Sequence, residues 1–463
     1  MASTAVNNPY TGLPLGTVFI RTAMPIILVM LVNGSLNLVD AYFIGAYVGA
    51  DGLAAVTAMF PLFMLLIALS TWVSSGFASV MARYLGAQNV TAARHTLAQA
   101  LTLAVLLSTV LIGAFSLWGY SLALAANGGD ARLAEMSLSY LWIVILGSPL
   151  LFLLSISSDS LRSEGHTGLM ALVSLLTATL NGVLNYWLIV TLDMGVAGSA
   201  YGTVLAQLLS LLIVAGFRAS KRNTYRLPLL SFSTNRQHWQ TFLALGAPAS
   251  LTYVGVALMS AAILYNLQHW QTADLAATVS AYGIITRIMT FVFLPILGLG
   301  LAFQSIAGNN VGAGLYQRAN QSVTIALLVA LVYSLAMQLS LWFSAEHIGR
   351  WFVADTQVIA EVGRILPISI LALWVFGPLM MISMYFQSIG DAKRASVLSL
   401  GKTYLFALPL TFALPRFWGE SGIWYAGPSA ELLALMLTAT LLYRRASQEN
   451  ARLGLFYRLG EYG

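Results

Sequence analysis

The sequence predicts an all-α integral membrane protein with twelve transmembrane helices in two six-helix lobes. A pseudo-two-fold axis along the membrane normal relates the lobes. Three observations lead there. Of 463 residues, 59% are hydrophobic and only 8% are charged, about a third of the charge of a soluble domain. The apolar runs exceed the ~20 residues that cross a bilayer as a helix. The two halves of the chain also repeat each other at a nearly constant spacing. So few charges cannot coat soluble domains, and such apolar content excludes disorder. The chain has no cysteine, which excludes disulfides, thiolate catalysis and cysteine metal sites.

Span 1 covers 18–43, contains Pro25 and ends in the polar series Asn33, Asn37 and Asp40. No Lys or Arg occurs in the first twenty residues, so it reads as a retained span rather than a cleaved signal. Spans 2 (53–80) and 3 (96–126) are long apolar runs, and span 4 (135–157) stops at Asp159, Arg162 and Glu164. Span 5 (169–192) carries Asn181 and Asn185, and span 6 (196–217) carries Thr203 and Gln207. A charged cytoplasmic linker, 218–240, then separates an N-terminal lobe (1–217) from a C-terminal lobe (241–463). Spans 7 to 12 follow at 241–267, 276–305, 320–344, 364–388, 396–414 and 422–443. Such unbroken runs argue against a barrel, whose strands alternate over ~10 residues.

With both termini cytoplasmic, sixteen Lys and Arg fall in inside segments and four, Arg132, Arg350, Arg364 and Arg416, fall outside. The excess sets the orientation. It also assigns the net charge of +6 to topology, so no nucleic-acid partner is expected. Pro25 matches Pro248, Gly76 matches Gly298, Gly86 matches Gly308 and Gly165 matches Gly390. Gly195, Gly198, Tyr201 and Gln207 match Gly419, Gly422, Tyr425 and Glu431. Repeats of this kind are typical of secondary transporters, which bind substrate at the repeat interface.

Asp40, Arg287, Lys402 and Glu431 are the charges that lie clearly inside spans. An intramembrane charge costs about 2.5–3.5 kcal/mol on insertion scales, so each is a functional candidate. Asn33, Asn37 and Asp40 share one helix face, as do Asn181 with Asn185 and Thr203 with Gln207. One carboxylate among amide and hydroxyl oxygens suits Na⁺ or a proton; an interhelical hydrogen bond is the structural alternative. Glu431 is a candidate second titrating site, with a structural hydrogen-bonded acid as its alternative. Lys402 is expected to snorkel to the interface, and Arg287 has no evident partner. The five histidines lie in loops or span ends without metal-ligand spacing. There is no P-loop, so transport would draw on an ion gradient and need no cofactor beyond the coupling ion, H⁺ or Na⁺.

Several stretches carry a resemblance to a known family: Asn37-Leu-Val-Asp-Ala-Tyr-Phe-Ile-Gly45, Ala82-Arg-Tyr-Leu-Gly-Ala-Gln-Asn89, Leu161-Arg-Ser-Glu-Gly165, Leu180-Asn-Gly-Val-Leu-Asn185, Phe303-Gln-Ser-Ile-Ala-Gly-Asn-Asn-Val-Gly312 and Phe386-Gln-Ser-Ile-Gly390. Over essentially its whole length the chain resembles multidrug and toxic compound extrusion (MATE) transporters. The resemblance implies a multidrug efflux antiporter that exports amphipathic, often cationic compounds in exchange for H⁺ or Na⁺. Spans 7 and 10 lack acids, which makes the chain more similar to the DinF-like group than to the NorM-like one. The DinF-like cation site maps onto Asp40, Tyr140, Asn181, Asn185 and Thr203. Asn185 stands where such members often carry Asp, which leaves one carboxylate in the cluster.

The expected mechanism is alternating access by rocking of the lobes. Pro25, about four turns before Asp40, is a candidate hinge because proline removes a helix hydrogen bond; a fixed kink is the other reading. The Met-rich and aromatic composition suits a broad apolar cavity. The expected partners are small amphipathic organic substrates and the bilayer of a prokaryotic plasma membrane, with the chain working as a monomer. The alternative function is a flippase for a lipid-linked oligosaccharide or similar substrate. It calls for several cavity-facing cations, and the spans offer only Arg287 and Lys402. A membrane enzyme and a passive channel find no supporting constellation.

Overall fold

In lipid, every backbone N–H and C=O must find its partner within the segment or against protein, which favours continuous helices. The computed structural model follows that rule. It describes residues 8–127, 129–220, 225–228, 230–270, 275–353, 355–448 and 452–457, without the side chains of 36–42, 45–46, 50, 53–54 and 57. Among the described residues there is no strand, only a lone backbone bridge between Arg452 and Phe456.

Among the described residues, ten helices are long and apolar enough to cross a membrane, and two bent pairs, each taken as one span, bring the number to twelve. In the first half these are α1 (Leu15–Phe43), α2 (Phe60–Gly86), α3 (Val90–Ala126), α4 in two parts (Ala131–Leu146 and Ser148–Ser163), α5 (Thr167–Thr191) and α6 (Gly195–Ala219). In the second half they are α7 (Trp239–His269), α8 (Leu275–Gly312), α9 (Tyr316–Ile348), α10 in two parts (Thr356–Ser369 and Leu373–Ile389), α11 (Ala392–Trp418) and α12 (Ser421–Gln448). Each expected span corresponds to one of these.

Both fourth spans are bent, by 47° in α4 and 51° in α10. In α4 the break falls at Gly147, just before Pro149, which has no N–H to continue the ladder. In α10 a side chain bridges the break. Gln338 of α9 donates to Leu371 O at 3.1 Å and accepts from Trp374 N at 2.9 Å. The sequence reading took both as plain spans.

Matched glycines have matched backbones. Gly165 and Gly390 both sit at φ +88°, and Gly195 and Gly419 at +57° and +58°. These left-handed values are costly for side chains with a Cβ, so the paired glycines end and begin equivalent helices in the two repeats.

Pro25 lies within α1, which runs on through it. A proline at 25 cannot donate to the carbonyl of Arg21. That carbonyl instead accepts from Thr167 Oγ1 at 3.1 Å.

The chain divides into two compact units, Met1–Ser250 and Leu251–Gly463. In the first, α2 meets the start of α7 at two glycines. A Cβ on Gly76 would stand 1.9 Å from Phe242 O, and one on Gly246 1.8 Å from Trp72 O. A short helix, Pro9–Gly12, is fastened by the Tyr10 hydroxyl, which donates to Arg162 O. Beside it, Arg218 grips Glu164 with two bonds of 2.6 and 2.7 Å, both side chains being buried. The charge of Glu164 adds to burial in pushing the Tyr225 phenol up to about 12, while burial holds His166 below its ordinary value. Arg162 pairs with Asp159 at 2.8 Å.

In the second unit, a core of residues such as Ala281, Ile285, Val362, Leu366 and Trp424 joins α8, α10 and α12. The FQSIAGNN stretch is buried here. Asn309 and Asn310 donate to the carbonyls one turn back, and Arg318 Nε donates to Asn310 at 3.1 Å.

Candidate functional site

Helices α5 and α6 form a hairpin whose reversal rests on the left-handed Gly195. Their seam is polar where neighbouring surfaces are apolar. Thr177 and Ser210 share a hydrogen bond of 2.5 Å. Asn181 Nδ2 donates to Thr203 Oγ1 at 3.0 Å, and that hydroxyl donates onward to Ser199 O at 3.1 Å. Asn185 is buried, and its Oδ1 lies 2.2 Å from where a Cβ on Gly202 would stand. Gly202 therefore makes room for the carboxamide.

Of the expected site residues, Asn181 and Thr203 are bonded to each other and Asn185 lies further along the same seam. Tyr140 is buried on α4, whose Gly147 packs tightly against Val204 of α6. Gln207 is half-buried between Thr203 and Ser210, and Asn33 is exposed. The side chains of Asn37 and Asp40 lie outside the described residues. The backbone of α1 does reach this seam. Phe43, three residues past Asp40, meets Tyr186 edge-on at 6.4 Å, and Tyr186 follows Asn185 directly.

At this meeting point both helices loosen to π geometry, at Ile44–Val48 and at Tyr186–Thr191. Such wide turns are rare and concentrate at functional sites. Amide and hydroxyl oxygens are hard donors suited to a small cation, and the carboxamides and hydroxyls could also relay a proton to a carboxylate. Thr177, Ser210 and Gly202 escaped the sequence reading. Thr177 follows the span-5 asparagine series at a four-residue interval before Asn181, which could have found it.

In the second unit Lys402 does not snorkel. It pairs with Glu431 across α11 and α12, and its ammonium stands 4.5 Å from the centre of the Phe376 ring. The reason is electrostatic: an opposite charge within reach outweighs the distance to the interface. Arg287 is exposed on α8 and has no ion pair among the described residues.

Three comparisons place these features. The MatE family profile matches residues 25–187 and 248–413, one block in each half. The chain is 24% identical over 427 residues to the probable multidrug resistance protein YoeA of Bacillus subtilis, covering 89% of this chain and 90% of that one. It is 26% identical over 437 residues to a protein of Shewanella oneidensis named FAD transporter, covering 91% and 92%. Its fold matches the outward-facing structure of a multidrug resistance MATE family transporter of the MOP superfamily, with a TM-score of 0.84 at 23% identity, over 96% and 99% of the two chains. With twelve helices in two matched halves and the family profile covering most of its length, the chain is a multi-pass membrane protein that belongs to the MATE family of multidrug efflux transporters, which move small organic substrates and are not enzymes.

Proposed function

We propose that this protein is a secondary antiporter that exports amphipathic organic compounds, cationic ones among them, in exchange for H⁺ or Na⁺. We read it as DinF-like, a monomer of the prokaryotic plasma membrane with both termini cytoplasmic. Its lobes, 1–217 and 241–463, alternate access across the linker 218–240. The observation that carries the reading is the polar seam of α5 and α6, where Asn181 and Thr203 are bonded and Asn185 is buried where α1 arrives with Asp40. In this mechanism an ionised Asp40 favours a bound cationic substrate. A proton or Na⁺ arriving from outside neutralises the site, the substrate leaves, and the loaded cation returns inward. Moving one charge across 100 mV supplies about 2.3 kcal/mol.

The test is dye transport in proteoliposomes, with ethidium as reporter and pH and Na⁺ gradients imposed separately. Wild type should respond to one gradient, and Asp40→Asn should lose that response. Full coupling in the mutant would make Asp40 structural and turn attention to Glu431. A second reading, a large anionic aromatic cargo, is favoured by the name of the Shewanella relative. The lipid-linked oligosaccharide alternative loses ground, because Lys402 is already neutralised by Glu431.

A further inference from the structure

Arg287 is the thirteenth residue of α8, about 18 Å along the helix from its nearer end. It is exposed, and so are Ser280, Gly283, Thr286 and Thr290. At intervals of three and four residues, Ser280, Gly283, Arg287 and Thr290 follow one another along the exposed face of α8, which is bounded by the exposed Ala276 and Phe291. The neighbouring α9 shows what a lipid-facing stripe looks like in this protein: Leu328, Val332, Leu335, Leu339 and Phe343 are all exposed there. A stripe carrying a serine, a guanidinium and a threonine is not of that kind. Intramembrane charges face water or protein rather than hydrocarbon, so the Arg287 stripe borders a wet space.

Among the described residues no ion pair reaches Arg287. Glu431 is taken by Lys402, Glu361 and Glu420 by Arg364, and Asp391 by Arg394. The hydroxyls of Thr286 and Thr290 donate to backbone carbonyls one turn back, which commits their protons within the helix. A guanidinium fork is presented at depth along the helix. Guanidinium binds carboxylate, phosphate or sulfonate through paired charge-assisted hydrogen bonds.

We propose that Arg287 is an anion subsite for the transported compound, and that the cargo of this protein includes amphiphiles bearing a carboxylate, phosphate or sulfonate. The proposal rests on the export reading above and adds a substrate class to it. A zwitterionic cargo would engage this subsite with its acidic group.

Two dyes built on one xanthene ring separate the cases. Tetramethylrhodamine ethyl ester is a cation and carboxyfluorescein is an anion. Full-length protein in proteoliposomes should move both under the driving gradient. Arg287→Gln should slow carboxyfluorescein by about tenfold or more, the scale of a lost charge-assisted pair. The same variant should change the rhodamine ester by less than about twofold, and Arg287→Lys should retain a measurable part of the carboxyfluorescein rate. Wild-type transport of the rhodamine ester without carboxyfluorescein would overturn the proposal. An equal loss of both dyes in Arg287→Gln would also overturn it, marking Arg287 as a structural or lipid-anchoring group. Failure of wild type to move either dye would sink the export reading itself, and the proposal with it.

Discussion

Glu431 and Lys402 show how a residue's meaning depends on what the fold brings to it. Each alone in an apolar span is an expensive charge; together they form one neutral unit. Removing one partner strands the other. Glu431→Gln is expected to destabilise the protein by about 2–3 kcal/mol, slightly below the range for fully buried pairs because Lys402 keeps some exposure. Thermal unfolding in detergent measures this, and Lys402→Met with Glu431→Leu should recover most of the loss. If Glu431→Gln instead leaves stability intact and halves the number of ions moved per substrate, Glu431 is a coupling group. The pairing was not legible in the sequence, since residues 402 and 431 stand on separate helices without any shared period. Asn181 and Thr203 were legible, because polar residues a turn apart in an apolar span single out a face. Thr177 and Ser210 were not, because hydroxyls are common in such helices and commonly bond their own backbone, as Thr177 also does to Val173 O.

Among elements, span number and approximate limits followed from composition, because nothing else in an apolar chain satisfies its backbone. The bends did not follow. In α4 the break has a local signal at Gly147 and Pro149, but in α10 it depends on Gln338 of another helix. That side chain closes the gap with one donor and one acceptor. Gln338→Leu should leave Leu371 O and Trp374 N–H unsatisfied and lower stability by about 1–3 kcal/mol. The melting temperature checks this. An unchanged value would mean that the break is self-sufficient. Helix ends also outran the sequence limits. α8 continues to Gly312 because its last two turns, though polar, are buried with their amides bonded to its own carbonyls.

For the molecule as a whole, the repeat was legible as spaced glycines and proved to be a repeat of backbone geometry, with equal φ at Gly165 and Gly390. The same symmetry gives each half a returning segment. In the first unit, Ser233 N donates to Thr102 Oγ1 at 2.9 Å and His238 N to Gln99 Oε1 at 2.9 Å, both on α3. In the second, Tyr457 and Asn320 of α9 exchange two bonds of 2.9 Å. The sequence reading saw the first segment only as a charged linker, since none of these partners shows a local pattern. The orientation can be checked directly because the chain has no cysteine of its own. With an impermeant maleimide on intact cells, Ala131→Cys should label and Thr234→Cys should label only after lysis. The reverse pattern would invert the protein in the membrane.

The hydroxyl of Thr167 has a mechanical consequence. It occupies the one carbonyl that Pro25 leaves without an intrahelical donor. Any flexing of α1 about that proline must either drag the start of α5 along or snap this bond first. If Pro25 serves as a hinge, Thr167 is its detent, a small energy step against bending. On that reading, Thr167→Val should raise ion leak uncoupled from cargo in proteoliposomes even where binding is intact.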